Sequence, residues 1–227
     1  MSWLLLVALF SFREPSGPDA AKAAVSKFES RYRSAKTLSA TFLEQYKENG
    51  RLVRAESGTG YFRKPGRMRW EYESPENSLF LVDGKTTWFY VPSDHTATKV
   101  PAKESQDWRT PLALLAGEVK VAKVCASVSL APMPGNAELG PNTVNLKCIL
   151  RGPDWDNQSP QIAFFRINRE TGELEGISVN DPGGITVEFQ FANWIFDPPL
   201  PEAMFHFEPP RGVAIVNGEL GSQAPPR

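Results

Sequence analysis

Gly60–Pro92, GYFRKPGRMRWEYESPENSLFLVDGKTTWFYVP, decides how the rest of the chain is read. Three turn signals cut it into four strands: Pro65-Gly66, Ser74-Pro75-Glu76-Asn77, and Asp83-Gly84, the last a favoured two-residue hairpin loop. Between the first two turns the residues alternate. Met68, Trp70 and Tyr72 point one way and Arg67, Arg69 and Glu71 the other, as the two-residue period of a strand requires. The segments LFLV and TTWFYV are apolar at odd and even positions alike, so both faces of those strands need cover from a core, a lid or a ligand.

Working outward, Asn49-Gly50 marks a hairpin between strands at Ala40–Lys47 and Leu52–Phe62, which feed the central stretch. Before them, Asp19 is a helix N-cap for AAKAAVSKFESRYRSAK, where Ala21, Val25, Phe28 and Tyr32 form one narrow apolar stripe. After them, SDHTATKVP is a polar hairpin-like segment. Pro111 then opens PLALLAGEVK, where Leu112, Leu115 and Val119 fall on one side and a short apolar helix ends at Gly117. Strands return at Ala122–Leu130, Thr143–Leu150, Ile162–Asn168, Glu175–Asn180 and Ile185–Ile195, with one more short strand at Met204–Phe207.

Residues 1–12 contain an uncharged apolar run, too short to span a bilayer and suited to the hydrophobic region of a signal peptide. Residues 13–18 read as a linker, 19–218 as one domain and 219–227 as a disordered tail. The fold class is mainly β with α: a single curved antiparallel sheet of about eleven strands, forming a half-open barrel lidded by short helices.

Composition narrows the function. With 25 basic and 26 acidic residues there is no electrostatic footprint for nucleic acid or an anionic membrane. Phosphate-binding glycine motifs and a nucleophile elbow are absent, His95 and His206 sit in structural contexts, and Asp154 and Asp156 read as solvated turn residues, so neither an enzyme nor a metal or cofactor protein is expected. The two cysteines, Cys125 and Cys148, fall in strands joined by a Pro/Gly/Asn-rich link. Pairing Leu130 with Thr143 would set them opposite each other, either as a disulfide or as two small buried hydrophobes. The remaining oddity is a surplus of aromatic residues on strand faces, which suits either an ordinary sandwich core or a curved container for an apolar guest.

RKPGRMRWEYESPE with LFLVDGKTTWFYVP, the F-x-x-Q at Phe42–Gln45, the helix at Pro111–Gly117 and the ending FHFEPPRGVAIV resemble the outer-membrane lipoprotein carrier family (LolA) over about residues 20–217. The resemblance implies an incomplete β-barrel whose apolar hollow is lidded by helices. It implies a periplasmic monomer that shields lipoprotein acyl chains and moves them from inner to outer membrane. Its partners would be acylated lipoproteins, an inner-membrane ABC-type release complex and a LolB-like outer-membrane acceptor. The hollow is expected to be lined by Met68, Trp70, Tyr72, Phe80, Trp88, Tyr90, Leu112 and Leu115. The family commonly has an Arg before the turn proline, thought to hold the lid. Lys64 stands there in this chain, with Arg63 one residue earlier, so these two are the candidate latches. The alternative on the same fold is an RseB-like lipid or lipoprotein sensor.

Overall fold

The computed structural model describes residues 17–102, 112–117, 120–132, 140–151, 161–180 and 183–218. The hydrophobic segment 1–12, Pro111, Val119, Asp154, Asp156 and the tail 219–227 lie outside the described residues. The elements run α1 (Gly17–Arg33), β1 (Thr37–Glu48), β2 (Arg51–Arg63), β3 (Arg67–Ser74), β4 (Ser78–Val82), β5 (Thr86–Val91), β6 (Thr96–Pro101), α2 (Ala113–Ala116), α3 (Val121–Val124), β7 (Cys125–Leu130), β8 (Thr143–Leu150), β9 (Ile162–Asn168), β10 (Leu174–Asn180), β11 (Ile185–Phe196), a 3-10 turn (Glu202–Phe205) and β12 (Ala214–Asn217).

All twelve strands belong to one sheet in the order β12-β6-β5-β4-β3-β2-β1-β11-β10-β9-β8-β7, which leaves β12 and β7 as its edges. Every pairing is antiparallel except that of β12 with β6, so the sheet is mixed rather than wholly antiparallel, with one strand more than the sequence suggests. The tail supplies that difference. Met204–Phe207 is not a strand; the 3-10 turn occupies it, and the terminal strand forms ten residues later. The polar segment after Pro92 supplies β6, whose Ala97 and Val100 are buried. Two further expectations are corrected. The helix α1 starts at Gly17, inside the segment read as linker, and the first residues of the expected strand at Ala122 form α3.

Local chemistry explains the turns. At the β1–β2 hairpin, Asn49 and Gly50 have φ of 49° and 79°, which the right-handed twist of a two-residue loop demands. Asp83-Gly84 behaves differently. Val82 pairs with Thr87, so the loop is longer than two residues, and the Asp83 carboxylate accepts from Lys85 N and Thr86 N, both at 2.7 Å.

The sheet has a concave and a convex apolar face. On the concave side one large core takes residues from nearly every strand, together with Phe28 and Tyr32 of α1 and Leu114, Leu115 and Ala116 of α2. A glycine pair is essential here. Gly58 and Gly60 of β2 lie in register with Phe42 and Ala40 of β1 on one side and with Tyr72 and Trp70 of β3 on the other. A Cβ on Gly58 would collide with the Glu71 carbonyl oxygen. With no side chains between them, the Phe42 ring reaches across β2 to within 5.0 Å of both Trp70 and Tyr72. On the convex side a smaller cluster of Leu79, Leu81, Trp88 and Ala97 is covered by Phe207 and Val213 from the C-terminal segment.

Cys125 and Cys148 are joined in a disulfide with their Cα atoms 5.4 Å apart. The register that suggested this pair is wrong: Leu130 pairs with Leu146 rather than Thr143, and Cys148 faces Val128. Cys125 pairs with Leu150, two residues from Cys148, and an irregularity between Cys125 and Ser127 brings the two sulfurs together on the concave side. Replacing both cysteines with alanine should lower unfolding stability by about 3 kcal/mol, from the loop entropy that the cross-link removes. Urea denaturation of oxidised and double-alanine protein would measure it.

Candidate functional site

The concave face is a continuous aromatic surface. Trp70 sits at its centre, with its ring 5.4 Å from Phe62, 5.2 Å from Phe189 and 6.1 Å from Phe191. Phe191 continues to Trp194 at 5.3 Å, and Trp194 to Tyr32 of α1 at the same distance. Rings in tilted and edge-on contact of this kind take the geometry that aromatic quadrupoles favour.

Of the eight residues expected to line a hollow, six gather here: Met68, Trp70, Tyr72, Phe80, Leu112 and Leu115. Trp88 and Tyr90 do not. Trp88 pairs with Leu81 and Tyr90 with Leu79, which places them on the convex side, where their rings lie 5.4 and 5.3 Å from Phe207. Phe89, in register with Phe80, is the β5 residue that packs against the concave core. The alternation of TTWFYV shows that two faces exist, but with both apolar it carries no mark of which faces inward. Phe42, Phe62, Phe189 and Phe191 also belong to the surface. Their signal was alternation within β1, β2 and β11, which for Phe42, Phe189 and Phe191 lies outside residues 60–92 and for Phe62 lies at their start.

One charged group intrudes. Glu44 of β1, 2% exposed, accepts a 2.5 Å hydrogen bond from the Tyr72 hydroxyl within this apolar wall. A buried carboxylate is tolerated only when its oxygens are satisfied. Tyr72→Phe should therefore cost about 1–3 kcal/mol of stability, readable as a lowered thermal midpoint.

The helices over this face are held from the turn Lys64-Pro65-Gly66. Lys64 Nζ donates to the carbonyls of Tyr32 and Arg33, at 2.7 and 3.1 Å, in the last turn of α1. Those carbonyls have no intrahelical donor and carry the negative end of the helix dipole, so a cation suits them. Burial lowers the Lys64 pKa, and nearby Asp197 acts in the opposite direction. Two residues on, Gly66 N donates to the Ala116 carbonyl of α2 at 2.7 Å. One turn thus holds both helices.

Further contacts fix α1. Arg31 pairs with Glu173 at 2.9 Å and lies over the Phe196 ring, and Glu29 accepts from Val121 N at 2.7 Å. The Tyr32 hydroxyl accepts from Leu174 N at 3.0 Å, and burial pushes its pKa up. By contrast, α2 is four residues long and presents leucines to the core.

Arg63 points to the convex side. It donates to the Leu200 carbonyl at 2.8 Å, while Arg67 pairs with Glu202 at 2.8 Å and Arg69 donates to the Met204 carbonyl at 3.0 Å. The outward arginines of β2 and β3 thus bind the C-terminal segment across the convex cluster, and Arg63 makes no contact of this kind with α1.

Comparison with known proteins decides what this architecture belongs to. A family model described as outer membrane lipoprotein carrier protein LolA matches residues 33–208. The chain belongs to this family. Proteins named outer-membrane lipoprotein carrier protein from Chromobacterium violaceum and Nitrosospira multiformis are 28% and 26% identical to this LolA-family chain. Those alignments cover 87% and 85% of this chain and 89% and 88% of the relatives. A crystal structure of an uncharacterized conserved protein from Thermus thermophilus shares the fold, with a TM-score of 0.51 at 12% identity over 87% of this chain and 98% of that one. Membership supports a lipoprotein-carrier role and a periplasmic location. Among the described residues no helix is long and apolar enough to cross a membrane.

Lys64→Ala should loosen α1 and speed uptake of a hydrophobic fluorescent probe several-fold in stopped-flow mixing. Arg63→Ala should leave uptake within about twofold of wild type and instead make the C-terminal segment more sensitive to protease.

Proposed function

We propose that this protein takes the acyl chains of lipoproteins onto the concave face beneath α1 and α2 and carries them through the periplasm. It would receive them from an inner-membrane ABC-type release complex and pass them to an outer-membrane acceptor. The observation that carries this reading is the pair of helices held over a continuous aromatic surface by a few hydrogen bonds from one turn, Lys64-Pro65-Gly66. Lys64 is the lid latch in this reading, in the place where the family commonly has an arginine.

Magnitudes favour a carrier over a permanent binder. Burying a methylene gains about 0.8 kcal/mol, so an acyl chain of ordinary length gains more than about 10 kcal/mol. Admitting it requires displacing α2, whose Leu112, Leu114 and Leu115 each gain roughly 1.5–3 kcal/mol where they now lie. The lid's own burial therefore offsets a large part of the cargo's, which keeps net affinity low enough for release. A ligand shifts such a closed–open equilibrium only by its differential affinity for the two states. Closing after unloading restores the leucines and the Lys64 hydrogen bonds together.

Met68→Glu should weaken binding of a synthetic acylated peptide at least tenfold, because an unpaired carboxylate in the wall repels an apolar guest. Met68→Leu, close in volume, should keep wild-type affinity. Fluorescence titration with the lipopeptide, together with transfer of bound lipopeptide to acceptor vesicles, tests the reading. Unaltered affinity in a folded Met68→Glu protein would show that the cargo does not occupy this face.

A further inference from the structure

Among the described residues five buried side-chain atoms lack a hydrogen-bond partner, and two of them belong to strand residues of the concave face. Trp70 Nε1 and Thr87 Oγ1 are both buried without a hydrogen-bond partner, on side chains that are 0% and 1% exposed. Trp194 marks the contrast, since its Nε1 in the same aromatic surface donates to the Leu174 carbonyl at 2.8 Å. Buried polar atoms in native proteins are almost always paired, so two unpaired groups on one face call for a functional account.

Both groups point to the same side of the sheet. Trp70 pairs with Phe80, and Phe80 with Phe89, all on the concave core. Thr87 pairs with Val82, which packs against that core, and alternates with Trp88 on the convex side. Only β4 separates their strands, and Thr87 is level with Met68, two residues from Trp70, so the two backbones stand roughly 12 Å apart.

An indole N–H only donates, and a threonine hydroxyl can donate too. The matching guest is a mostly hydrocarbon molecule with isolated neutral acceptors, and ester carbonyls meet that description. An ionised carboxylate does not, because neither residue carries a charge to offset its burial. We infer that Trp70 and Thr87 are specificity-determining residues that bind the ester carbonyls of a diacylglyceryl group, so that the site selects ester-linked chains over bare or ether-linked hydrocarbon. This rests on the carrier reading above and names the part of the cargo that is read. In the closed, empty form both groups forgo their hydrogen bonds, which favours the loaded state whenever an ester is present.

The experiment compares two synthetic lipopeptides that differ only in linkage, a bis-palmitoyloxypropyl-cysteine peptide and its dihexadecyl-ether counterpart. Wild-type protein should bind the ester about fivefold more tightly. Trp70→Phe and Thr87→Val should each bring that ratio closer to one, and the double variant should abolish it; the ratio is read within each protein, so a change in affinity common to both peptides cancels. Equal affinity for the two peptides on wild type, or a preference that survives in both variants, overturns the inference and leaves the carrier reading standing. Binding of neither peptide overturns both. Thr87→Val gives an independent check without ligand. It swaps an unpaired hydroxyl for a methyl of the same shape, so the empty variant should melt at a higher temperature than wild type, and a lower midpoint would overturn the role of Thr87.

Discussion

An open sheet with an aromatic concave face has to keep that face out of water. The cover comes from α1 and α2, both anchored to the three-residue turn Lys64-Pro65-Gly66. Most of the architecture follows from that constraint. The turn joins β2 to β3, the strands whose glycines and aromatic residues build the deepest part of the face, so the anchor and the surface it closes belong to one hairpin.

The two helices are fastened very unequally. α1 contributes a buried aromatic stripe and adds ion-pair and backbone contacts through Glu29, Arg31 and Tyr32 along its C-terminal half. α2 relies chiefly on leucine burial. Apolar contacts have no directional requirement and can be exchanged for those of another hydrocarbon, whereas the polar contacts of α1 cannot. This asymmetry makes α2 the easier of the two helices to displace and leaves α1 held by its polar contacts, those with Lys64 among them. On the opposite face, Arg63, Arg67 and Arg69 hold the C-terminal segment over Trp88 and Tyr90, so the convex cluster is covered by a segment fastened through charge-assisted bonds.

Much of this was legible in residues 60–92, because strand alternation is a one-dimensional signal. Met68, Trp70 and Tyr72 share a face whatever they pack against. Lys64 and Arg63 fall on opposite faces by the same rule, and each meets a different partner, α1 in one case and the C-terminal segment in the other. The rule fails where both faces are apolar. Nothing in TTWFYV says whether Trp88 or Phe89 turns inward, since the decision comes from Phe207, well over a hundred residues away. It fails again for β6, a polar strand whose place is set by pairing with β5 and β12, and for Cys125, whose link to Cys148 depends on a local irregularity rather than on direct opposition.

The sequence by itself determined most of the strands and turns, the two covering helices and the family to which they belong, because backbone stereochemistry and residue spacing are local properties. The tertiary structure alone decided which face of β5 packs against the concave core, how β7 and β8 register, what Arg63 holds, and that Trp70 and Thr87 find no partner among the described residues. Each of those depends on groups brought together from distant parts of the chain, and only a closed set of neighbours reveals a hydrogen bond that is missing.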